Sequence, residues 1–171
     1  MTGARRGTFA RGAAAVVIGA LLGYLLFTHV VAVLRVSGDS MLPTLVDGSF
    51  VLVLRPGVSI LVRGSVAAVG DVLIFTAPGD GDKVVKRVVA TGGSTVAMDD
   101  GVVLVDGVPS GAAPDLGRHA GRSSFPATPV PDGHLFMLGD NRLPLASRDS
   151  RDFGPVPTGA VLGRVVLPAT R

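Results

Sequence analysis

The chain has 171 residues, with 16 Lys+Arg against 13 Asp+Glu, three His, no Cys and no Trp, which is one domain's worth of sequence. Without cysteine it has no disulfide framework, no thiolate nucleophile and no Cys-ligated zinc or iron–sulfur site, and no metal or other cofactor is expected. The net charge of +3 equals Arg5, Arg6 and Arg11 at the N-terminus, so the body of the chain is neutral, which argues against a nucleic-acid binder.

Residues 1–11 read as a short basic tail. From Gly12 to Leu34 the chain runs GAAAVVIGALLGYLLFTHVVAVL, and at about 1.5 Å per residue this is roughly 35 Å of helix, enough to cross a bilayer. A cleaved signal peptide has an apolar core of only about 7 to 15 residues and a small-x-small end, so residues 12–34 read as a retained anchor. Three arginines precede the span and Arg35 alone follows it closely. The positive-inside bias then puts the N-terminus in the cytoplasm and residues 35–171 outside, on a single-pass protein of the cell membrane in contact with lipid.

Beyond the anchor, short valine-rich runs alternate with turn clusters. Strands are expected at Ser49–Leu54, Asp71–Phe75, Val84–Ala90, Gly101–Val105, His134–Leu138 and Val161–Leu167. Turns are expected at Pro78–Asp82 and Asp106–Gly107, and one extended surface loop over Ser110–Asp132. Abundant Gly (24) and Pro (12) argue against a helical bundle and for a turn-rich, mainly β domain.

Three clusters outside the anchor carry possible chemistry. The segment Val36-Ser37-Gly38-Asp39-Ser40-Met41-Leu42-Pro43-Thr44 sets a serine just beyond the span, and a serine hydroxyl needs a base before it can attack. His119 and His134 are candidates without a telling context. Lysine serves only when neutral, which requires a dry site. The chain has two lysines: Lys83 sits in the turn Gly81-Asp82-Lys83, beside carboxylates and water, whereas Lys86 sits inside VVKRVV. Lys86 is the one that burial could neutralise, although a strand lysine snorkelling from an edge fits the same local pattern. The third cluster, Gly139-Asp140-Asn141-Arg142 followed by Ser147-Arg148-Asp149-Ser150-Arg151, reads by itself as a polar loop with local Asp/Arg pairing.

Taken in this order behind an anchor, the three clusters resemble the type I signal peptidases, membrane-bound serine proteases with a Ser/Lys dyad. The likeness extends to Gly70-Asp71-Val72, VDGV at Val105–Val108 and VPDGHLFMLGDNR at Val130–Arg142. It implies a signal-peptidase-like catalytic domain, residues 35–171, with a small cap at about 90–138. It implies Ser40 as nucleophile, Lys86 as general base, and Ser147 hydrogen-bonded to the lysine. Asp140 would pair with Arg87 and Asp149 with Arg151 as supports, and Met41, Leu42 and Pro43 would meet the substrate. The oxyanion would take the backbone N–H of Ser40. In some relatives a second donor is a serine two residues before the nucleophile. Here that position is Gly38, which leaves Ser37 or a backbone group in the Gly38 region. The four residues Leu-Pro-Leu-Ala between Arg142 and Ser147 exceed the usual pattern, so the loop must bulge.

Such an enzyme is a monomeric endopeptidase that cleaves exported preproteins after a small-x-small site. Two other functions fit the same residues: a dedicated maturation protease acting on one precursor, and an inactive membrane-anchored β module that binds exported proteins.

Overall fold

The apolar run that opens the chain changes its secondary structure partway along. The computed structural model describes residues 3–112 and 116–166; helix α1 (Gly3–Val30) passes directly into strand β1 (Val31–Arg35). The helix expected over 12–34 therefore gives way to strand after Val30, and Ala13–Val30 is the stretch long and apolar enough to cross a membrane. The cause is a partner strand. β1 runs antiparallel to β2 (Phe50–Leu54), with Val31 opposite Leu54 and Arg35 opposite Phe50, and its valines suit a pleated surface. An apolar run cannot be assigned to helix or strand by periodicity alone.

Helix α2 (Pro56–Arg63) follows, and the sequence reading contained no helix there. Pro56 occupies the first turn, where a missing N–H leaves nothing unpaired. Gly64 ends the helix at φ 73°, and its N–H donates to Ile60 O at 2.8 Å.

The remaining elements are β3 (Val72–Thr76), β4 (Lys83–Thr91), β5 (Thr95–Asp99), β6 (Val102–Val105), β7 (Val108–Pro109), β8 (Phe125–Pro129), β9 (His134–Leu138), α3 (Ser150–Phe153), β10 (Val156–Pro157) and β11 (Val161–Val166). Seven strands form an antiparallel sheet in the order β1-β2-β11-β3-β4-β9-β10, and four form a second in the order β7-β6-β5-β8. The six expected strands all occur with ends within one residue of those expected; Leu167 lies outside the described residues. The extended loop expected over Ser110–Asp132 is the larger departure. It holds a 3-10 turn at Gly117–His119 and strand β8, which pairs with the equally unexpected β5, while its residues 113–115 lie outside the described residues. Thr95 and Asp99 in β5 and two prolines with Thr128 in β8 interrupt the apolar runs that mark a strand.

Two apolar clusters matter for the site. One contains Met41, Leu45, Val51, Val72 and Ile74 and packs the segment after β1 onto the large sheet. The other joins the sheets through Val89, Ala90, Phe136 and Leu138 on one side and Val96, Met98 and Val103 on the other. Phe125 of β8 stacks on Phe136 of β9 with ring centroids 5.6 Å apart. Each such buried Val, Leu or Phe contributes roughly 1.5–3 kcal/mol, so the small sheet is held on the large one by a shared core.

Candidate active site

Ser40 stands on a turn held from three sides. Val36 N–H donates to Ser49 O at 2.8 Å, closing the loop after β1. Gly38 takes a φ of 88°, which only glycine adopts freely, and its N–H donates to Asp47 Oδ1 at 2.8 Å. Met41 is buried beneath the turn. From across the chain, Asn141 holds two carbonyls: its backbone N–H donates to Ser40 O and its Nδ2 to Asp39 O, both at 3.0 Å. Asp39 itself is exposed, away from the dry side of the turn.

Lys86 lies mid-strand in β4, with Leu73 of β3 opposite, and is 3% exposed. Its Nζ donates to Ser40 Oγ at 2.8 Å, across 46 positions of sequence. Burial pushes the ammonium down from its ordinary 10.5 to about 8. The nearby Asp149 and Asp140 charges oppose that fall and Arg151 assists it. Desolvation prevails because the carboxylates are already matched to other cations.

The matching is explicit. Arg87, next to Lys86 and with its side chain on the opposite face of β4, forks onto Asp140 through Nε at 2.8 Å and Nη2 at 2.6 Å, and its Nη1 donates to Gly70 O at 2.8 Å. Thr44 Oγ1 adds a donor to Asp140. Asp149, fully buried, accepts from Arg151 Nε and Nη2 at 2.8 Å each and from Gly139 N–H at 2.9 Å. It also accepts from Ser147 Oγ at 2.8 Å. Here the structure differs from the sequence expectation, since Ser147 was expected to bond Lys86. A carboxylate is a stronger acceptor than an amine that is itself a donor, and it sits two residues away.

Gly139 is a site residue that the reading of the sequence missed. A Cβ there would lie 2.2 Å from Ser147 Oγ and 2.5 Å from Ser40 O, so the strand end, the nucleophile turn and the Ser147 loop meet over its bare Cα. The signal was present as a glycine between a buried strand and Asp140. The alternative bases are elsewhere: no hydrogen bond links His119 or His134 to Ser40 among the described residues, and His134 Nδ1 lies 3.0 Å from Asp132 O.

Beside Ser40 and Lys86 opens a groove of about 280 Å³. Its floor is apolar, with Met41, Val51 and Ile74, and its walls are the runs Leu34–Ser37 and Lys83–Val85. Of the three residues expected to meet substrate, Met41 lines the groove, whereas Leu42 and Pro43 lie outside its lining. They follow the nucleophile on the turn and lead away toward Thr44. Lys83, expected in a watery turn, instead begins β4 and stands at the groove. Ser37 also lines it, while the Gly38 amide is committed to Asp47. A buried amine against a half-buried hydroxyl, beside an apolar slot for an extended chain, is the equipment for acyl transfer.

The family model described as signal peptidase, peptidase S26, matches residues 9–170. A probable signal peptidase I-1 of Synechocystis is 32% identical over 147 residues, covering 80% of this chain and 71% of that protein. A signal peptidase I of Bacillus caldolyticus is 33% identical over 164 residues, covering 88% of this chain and 84% of that protein. A crystal structure of a signal peptidase I from Enterococcus faecalis V583 aligns with a TM-score of 0.49 at 28% identity, covering 58% of this chain and 97% of that chain.

Proposed function

The chain belongs to the signal peptidase family, peptidase S26, and from that membership we propose that it removes signal peptides from exported preproteins, with Ser40 as nucleophile and Lys86 as general base. The observation that carries this reading is the 2.8 Å contact between a buried Lys86 Nζ and Ser40 Oγ. With the lysine neutral, the same contact is made by the serine O–H donating to Nζ, which is the arrangement needed for attack.

The precursor lies extended in the groove, its small side chains against the apolar floor. Ser40 Oγ attacks the carbonyl of the second small residue while Lys86 takes its proton. The oxyanion is met by the Ser40 N–H and, because the Gly38 amide is engaged, by the Ser37 hydroxyl. Collapse of the tetrahedral intermediate passes the proton from Lys86 to the leaving amine, and water then attacks the acyl-enzyme with Lys86 again as base. Asp140–Arg87 and Asp149–Arg151 act as struts that hold β4, β9 and the Ser40 turn together. The Ala13–Val30 span anchors the enzyme with its basic N-terminus in the cytoplasm and its groove at the outer membrane surface.

The test is cleavage of a detergent-solubilised preprotein with an Ala-x-Ala junction, with N-terminal sequencing of the product. Wild type is expected to cut after the second alanine and Ser40→Ala to leave the preprotein whole. A folded wild type that ignores the junction would refute the proposal and favour a dedicated protease or a binding module.

A further inference from the structure

Two cations stand at the groove with no assigned work. Arg35 closes β1 and Lys83 opens β4; both are exposed, and each belongs to a different wall of the groove that holds Ser40 and Lys86. The Arg35 guanidinium lies over Gly48, 3.3 Å from where a Cβ would be. Neither cation has an ion-pair partner among the described residues, although Asp82 adjoins Lys83 in sequence. The lining of the groove contains no carboxylate, in a chain with 13 Asp. Unpaired cations flanking an apolar slot are complementary to an anionic group carried by whatever fills it.

An extended peptide sends alternate side chains to opposite faces. When two small side chains point to the floor at Val51 and Ile74, the residue between them points out toward the rim. Building on the protease reading, we propose that Arg35 and Lys83 are specificity residues that favour precursors carrying Asp or Glu between the two small residues, and disfavour Lys or Arg there.

The experiment uses the full chain in neutral detergent and three otherwise identical precursors with Ala-Asp-Ala, Ala-Gln-Ala and Ala-Lys-Ala junctions. Wild type should cleave the Asp precursor with kcat/KM about fivefold above the Lys precursor at low salt, mostly through KM, since rim ion pairs are individually weak. At about 1 M NaCl, where the screening length is about 3 Å, the ratio should fall toward one. Lys83→Glu and Arg35→Glu should each flatten the preference and the two together should reverse it, Lys83→Arg should keep it, and Lys83→Gln should reduce it if the glutamate variant does not fold. Equal cleavage of the three precursors by wild type at low salt would overturn the proposal, as would a ratio unmoved by both reversals. If the reversals instead weaken only binding to anionic lipid vesicles, the cations serve the membrane surface and the proposal falls. Failure of wild type to cut any of the three precursors refutes the protease reading itself.

Discussion

Replacing Lys86 by methionine should abolish cleavage and at the same time stabilise the fold, and the two effects share one cause. The side chain is 3% exposed and its ammonium is lowered from 10.5 to about 8. Below pH 8 folded and unfolded chains both carry the proton, and the folded state carries it at a cost of about 3 kcal/mol, at about 1.36 kcal/mol per pH unit. Between pH 8 and 10.5 the folded chain has released the proton while the unfolded chain still holds it, so stability rises with pH; above 10.5 the cost is gone. The methionine side chain would fill the same space without the charge but would lose the bond to Ser40 Oγ, worth about 1 kcal/mol. The net gain near pH 6 is then about 2 kcal/mol, or roughly 4–8 °C in melting temperature for a chain of this size. It should shrink to zero near pH 10 and turn into a deficit of about 1 kcal/mol above about pH 10.5, where only the lost bond remains. The assay is thermal unfolding of the full chain in detergent, followed by far-UV circular dichroism at pH 6 and pH 10.5, beside preprotein cleavage. Wild-type cleavage should rise tenfold per pH unit below 8 and level off above it, because about one lysine in ten is neutral at pH 7. Cleavage by the methionine variant, or melting curves that move in parallel with pH, would refute a buried, proton-accepting Lys86.

Asp140→Asn should be the most destabilising single change near the site. It leaves the Arg87 guanidinium buried without a counter-charge, which costs about 3–5 kcal/mol, and urea unfolding should show it as a lowered midpoint with unchanged slope. Gly139→Ala should act on rate more than on stability. The new Cβ would press on Ser40 O and Ser147 Oγ, and displacement of a nucleophile by about 1 Å costs on the order of 100-fold. Single-turnover cleavage should fall by that order while substrate binding changes little.

Much of this protein could be read from local sequence, and the legible parts share a reason. Burial and strand propensity are properties of short segments, so the runs at Ser49–Leu54, Val84–Ala90 and His134–Leu138 announced themselves as strands. Lys86 among valines marked an amine that burial could neutralise, with an edge lysine equally open, and Ser40 beside a Pro-bearing turn was a candidate nucleophile still lacking its base. The order of the three motifs, and the family resemblance they carry, came from the sequence as well. What failed depended on partners distant in the chain. Residues Val31–Leu34 are as apolar as the helix before them, and only β2, about twenty positions on, makes them a strand. The strands β5 and β8 hold polar residues and became recognisable only as a pair. Ser147 was expected against Lys86, but its O–H donates instead to the stronger acceptor, the Asp149 carboxylate. The importance of Gly139 and the place of Lys83 at the groove followed from the approach of β9, the Ser40 turn and β4. Residue type and neighbours determined which groups could do chemistry. The packing of the large sheet decided which of them meet, because a 2.8 Å contact across 46 positions is made by strand register and core packing rather than by any local preference.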